Sequence, residues 1–104
     1  MTDQEQANAS LRRKQKLSED HIKFLNRIKI LRDEKGWSQK NTAIYLNMKP
    51  TSFSDLEQGA KRVDLDKLIK MAKLFDVTVG FLVAGEREGL TDQQKERVNR
   101  RFNL

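Results

Sequence analysis

The sequence predicts an all-α domain, and three observations carry that reading. Apolar residues recur at helical spacing, a polar cap residue stands before each such run, and the one β-branched segment has no partner strand. Ser18 is placed as the N-cap of a first helix, with Glu19 and Asp20 in the first turn, where acidic charge complements the helix dipole. Leu17 and Ile22 stand where a hydrophobic staple would put them, and Ile22, Leu25, Ile28 and Leu31, with Phe24, mark one face. Gly36 supplies a left-handed stop over which Trp37 folds back. Ser38 caps a second helix over 39–46, and Asn47 is a non-glycine residue that tolerates a left-handed turn. A third helix runs from about Pro50 to Gln58 and ends at Gly59. Asp64 opens a fourth, whose apolar face is Leu65, Leu68, Ile69, Ala72 and Phe75.

The segment 77–83 is β-branched, but a lone strand is not viable. The reading is therefore a short helix capped by Thr78. Thr91 followed by Gln94 forms a capping box for a last helix that carries Val98 and Phe102.

Composition narrows the function classes. The chain has 104 residues, is 37% hydrophobic and 35% charged, and carries a formal charge of +6. That describes one small domain whose positive balance invites a polyanion. The charge is spread along the chain and forms no polybasic tail. No apolar run approaches the length of a membrane span, and no secretory h-region follows Met1, so a cytoplasmic protein without membrane contact is expected. Cysteine is absent and His21 is the single histidine, which leaves no soft-metal site and no expected cofactor. Glu19–Asp20 and Asp33–Glu34 are neighbours that point in different directions on a helix, not an acid–base pair. With no phosphate loop and no nucleophile motif, the chain is not expected to be an enzyme. Residues 1–17 are too poor in apolar side chains to repay their ordering, so a flexible basic arm is expected there. Residues 18–85 form the domain, and 86–104 hold an extra helix.

The spacing between Gln39 and Gln58 is more specific than helicity. Two helices joined by so short a turn must cross steeply, and Ala43 is the small residue such a crossing requires. Phe53 and Leu56 line the inner face of the third helix. Pro50, Thr51, Ser54, Asp55 and Gln58 are left with no core to join.

Residues Leu31-Arg32, Gly36-Trp37-Ser38-Gln39, Ala43, Leu46, Phe53-Ser54, Leu56-Glu57-Gln58-Gly59, Leu68 and Ala72 together resemble the Cro/lambda-repressor-like (Xre) helix-turn-helix family. The resemblance, which extends through 77–82, implies a five-helix bundle whose third helix enters the DNA major groove. It also implies an ion pair between Arg32 and Glu57. Within that frame Thr51 and Ser54 hydrogen-bond base edges, Asp55 accepts from a cytosine amino group, and Gln58 reads adenine if it reaches. Gln39, Lys49, Lys61 and Arg62 are placed for phosphates, and Arg12 and Arg13 for a groove or the backbone.

Asn47 replaces the usual glycine of the turn, Lys49 the usual Ser or Thr cap, and Pro50 a frequent base reader. Modest direct readout is expected, helped by DNA shape. Val79, Phe81 and Val83 either complete the core or form a dimer patch, which the resemblance favours. Val98 and Phe102 either extend that patch or dock on their own chain. The expected function is a transcriptional regulator of duplex DNA, a homodimeric repressor at a two-fold symmetric operator. The alternatives are the antitoxin of a toxin–antitoxin pair, holding its toxin by a terminal segment, and a protein-interaction module whose recognition helix no longer reads DNA.

Overall fold

The computed structural model describes residues 17–102, so Arg12 and Arg13 lie outside the described residues. Six helices follow one another among these residues: α1 (Glu19–Lys35), α2 (Gln39–Tyr45), α3 (Pro50–Glu57), α4 (Leu65–Leu74), α5 (Val79–Ala84) and α6 (Asp92–Phe102). Among the described residues there is no strand.

Local chemistry sets most of the boundaries. The hydroxyls of Ser18, Ser38 and Thr78 each accept from the main-chain N–H three residues on, and the Asp64 carboxylate does the same for α4. Such a contact satisfies one of the N–H groups that a helix start leaves without a partner. At α6 the exchange is reciprocal: Thr91 N donates to Gln94 Oε1 (2.8 Å) and Gln94 N to Thr91 Oγ1 (3.1 Å). Gly36 ends α1 with φ 72°, while its N–H and that of Trp37 return to carbonyls of the last turn. The segment at 77–83 is helical from Val79, as its cap at Thr78 requires.

Helix α1 buries Phe24, Leu25, Ile28 and Leu31, and the core closes around Phe53, Phe75, Phe81 and Leu82. Three expected core residues lie outside it. Ile22 is 46% exposed because the buried stripe of α1 centres on Phe24 and Ile28, and Ile22 falls round the helix from it. Leu17 instead packs at Gly59 and against the core. Leu65 opens α4, and Ile69 stands one turn further along it. Both are exposed, and Met71 takes the buried place.

The last helix packs on its own chain. Val98 and Phe81 are each 1% exposed, and Phe102 stands edge-on to Phe81 with ring centroids 5.3 Å apart. This corrects the expectation of Phe81 and Val98 as interface residues, since both are consumed by the interior. Arg97 holds α6 down through a polar contact. Its Nη2 donates to Phe75 O (3.0 Å) and Asp76 O (2.7 Å), and its Nη1 to Asp76 Oδ2 (3.0 Å). Those carbonyls close α4, where the chain turns through a positive φ at Asp76 and helical partners run out. Glu34 lies 3.2 Å from Arg97 Nε, misaligned for a hydrogen bond, and adds charge attraction from α1.

Replacing Arg97 with alanine removes these contacts together. It should lower unfolding stability by about 2 kcal/mol, the scale of hydrogen bonds to a charged group. Chemical denaturation measures the loss, and an unchanged midpoint would show that Val98 and Phe102 hold α6 alone.

Candidate nucleic-acid interface

Helices α2 and α3 cross at a contact made possible by Ala43, which is fully buried between Leu46, Phe53 and Leu56 in the same core. Between the helices, Asn47 adopts φ 56°. Met48 N then donates to Ala43 O at 2.8 Å, and Leu46 N to Thr42 O at 3.0 Å. Thr42, also fully buried, spends its hydroxyl on Ser38 O. The turn therefore has its main-chain groups paired and its angle fixed by side-chain volume.

The inner face of α3 is locked by charge as well. Glu57 is 1% exposed, and its carboxylate accepts from Arg32 Nε (2.8 Å), Arg32 Nη2 (3.3 Å) and Gln39 Nε2 (2.7 Å). Arg32 also donates to Trp37 O at 2.8 Å. A buried carboxylate so surrounded ties α1, α2 and α3 at one point. Gln39, expected at a phosphate, thus has one amide N–H committed inside the protein. Sequence spacing gave no sign of that third donor.

On the outer face, Pro50, Thr51, Asp55 and Gln58 are exposed and Ser54 is half-buried. Gln58 Nε2 donates to Ser54 Oγ at 3.3 Å, so these two residues share a contact. The Ser54 O–H and the Gln58 oxygen remain turned to solvent chemistry. Pro50 opens α3 and Lys49 makes no capping hydrogen bond, leaving first-turn N–H groups without a side-chain acceptor.

Lys49, Lys61 and Arg62 are brought together around one cleft of about 190 Å³ beside the turn, with Ser52, Asp64 and Lys67. Lys67 is a cation that sequence reasoning missed, because in the first turn of α4 it reads as a surface charge. Arg62 also borders the neighbouring cleft with Leu17, His21 and Gly59. The result is a nearly neutral polar helix face with cations along one side. Arg27, whose guanidinium is lowered from its ordinary range mainly by burial, and further by Arg87 against the opposing pull of Asp20, belongs to another place, donating to Leu82 O. Among the described residues there is no cluster of three metal-ligating side chains, and no helix is long and apolar enough to cross a membrane.

Comparison with known proteins adds a second line. The chain is 34% identical over 70 residues to the HTH-type transcriptional regulator AnsR of Bacillus subtilis (strain 168), covering 67% of this chain and 60% of that protein. It is 29% identical over 77 residues to the HTH-type transcriptional regulator ImmR of the same organism, covering 74% of this chain and 60% of ImmR. A third relative there, the uncharacterized HTH-type transcriptional regulator YobD, is 28% identical over 78 residues, with 75% and 65% covered. The chain thus spans under two thirds of the length of each. No solved structure matches the chain significantly. The helix-turn-helix family profile matches residues 28–82, which is α1 from Ile28 through α5 to Leu82. With the crossing at Ala43, the turn at Asn47 and the Arg32–Glu57 pair all inside that span, the chain belongs to the Cro/lambda-repressor-like helix-turn-helix family.

Proposed function

We propose that the protein is a DNA-binding transcriptional regulator that represses by occupying a two-fold symmetric operator as a homodimer in the cytoplasm. The observation that carries this reading is the outer face of α3: a row of polar side chains with no core to join, framed by Lys49, Lys61 and Arg62. Such an arrangement suits a helix inserted in the major groove, with base edges before it and phosphates beside it. Thr51, Ser54, Asp55 and Gln58 read bases, and Pro50 sets the start of the helix. Lys49, Lys61 and Arg62 take phosphates, joined by Gln39 through its remaining donors, while Arg12 and Arg13 form an arm that reaches into a groove. The second copy meets the first through Val79 and Val83 of α5, of which Val83 is exposed. The names of the relatives, all HTH-type transcriptional regulators, support the regulatory role.

Selection of bound duplexes from a randomised pool tests this. The expected product is a two-fold symmetric sequence with half-site centres about 10 bp apart, one helical turn. Enrichment of a single unpaired half-site would overturn the dimer, and no enrichment at low salt would overturn the DNA reading.

A further inference from the structure

Lys67 holds the helix-turn-helix turn rather than its own helix surface. Its main-chain N–H closes the α4 cap on Asp64 Oδ1 at 2.8 Å. Its side chain reaches back across the cleft, and Nζ donates to Leu46 O at 2.7 Å and Asn47 O at 3.3 Å. Leu46 is the C-cap of α2, so its carbonyl sits at the negative end of that helix with no helical partner. Asn47 holds a positive φ, a conformation that costs a non-glycine residue energy and needs support from its surroundings. None of the ion pairs among the described residues involves Lys67. Its charge goes to two main-chain carbonyls only a few residues before Pro50 and Thr51.

We propose that Lys67 is a positioning residue for base reading: by clamping Leu46 O and Asn47 O it fixes how the start of α3 is presented to DNA. The proposal rests on the DNA reading of that face. It differs from a phosphate role, which the same cleft of Lys49, Lys61 and Arg62 would otherwise suggest. A phosphate ligand strengthens binding to every sequence alike. A clamp on the turn strengthens binding only where base contacts must line up.

The test uses the full chain and its Lys67→Met and Lys67→Arg variants. The probes are a duplex selected from a randomised pool and a scrambled duplex of equal composition. Lys67→Met should weaken the selected duplex about 10-fold and the scrambled one by no more than about twofold, with the salt slope unchanged. Amide exchange at Asn47 and Met48 in the free protein should quicken, and Lys67→Arg should restore both discrimination and protection. Parallel weakening of both duplexes with a shallower salt slope would overturn the proposal in favour of phosphate contact. Unchanged discrimination and exchange would overturn it outright. Wild-type protein that binds both duplexes equally would overturn base reading by that face and this proposal together, a result separable from failure of the clamp alone.

Discussion

Replacing Glu57 with glutamine is expected to lower the unfolding free energy by about 3 kcal/mol, because removing one member of a buried ion pair strands the other. The glutamine keeps the volume, so no cavity forms and the loss reports charge and hydrogen bonding. In the wild type the carboxylate takes three donors, two from Arg32 and one from Gln39. An amide offers one oxygen and presents its own NH2 to a guanidinium whose side chain is only 16% exposed. For a domain of this size the midpoint should fall by about 15 °C. Arg32→Met combined with Glu57→Met should recover much of that loss, since an apolar pair leaves no unpaired charge. The recovered fold should still bind DNA poorly, because α3 would no longer be tied to α1 and α2 at that point. Thermal melts of the two variants decide the matter. A Glu57→Gln variant as stable as wild type would mean that Gln39 and solvent satisfy Arg32 without a carboxylate.

How far the sequence reaches is set by the range of the physics. Caps are legible because a side-chain oxygen and an N–H three residues away decide them locally. Ser18, Ser38, Asp64, Thr78 and the Thr91–Gln94 box all follow that rule. The crossing of α2 and α3 was legible too, since a small residue and a short turn leave few alternatives. Ile22, Leu65 and Ile69 were misplaced because periodicity marks an apolar stripe but not how far a neighbour covers it. Phe81 and Val98 present the same difficulty from the other side. An interface residue and a core residue have the same side chain, and only the docking of α6 separates them. The remaining omissions are donors whose acceptors lie on other elements: Gln39 on Glu57, Lys67 on Leu46 and Asn47, Arg97 on Phe75 and Asp76. Long polar side chains can turn several ways, and tertiary packing chooses.

Raising monovalent salt from about 50 to 200 mM should weaken DNA binding about 10³-fold, the loss expected when some six phosphates are neutralised. Six is the number supplied by Lys49, Lys61 and Arg62 from each of two protomers. The logarithmic slope should therefore lie near −5, and a single bound copy would give about half of that. The measurement thus counts protomers as well as cations. Lys61→Ala, which removes one cation from each copy, should make the slope shallower by about 2 units and weaken all duplexes alike. Thr51→Ala should leave the slope alone and cost about 1–3 kcal/mol on the selected duplex only, because a hydroxyl and a methyl meet a base, not a phosphate. The contrast follows from where the charge stands. The outer face of α3 carries no cation and one acidic residue, Asp55, while Lys49, Lys61 and Arg62 gather at the cleft beside it. Titrations of both variants against the selected and scrambled duplexes separate the two roles. Equal slopes and equal losses for Lys61→Ala and Thr51→Ala would show that attachment and reading are not divided between the cleft and the helix.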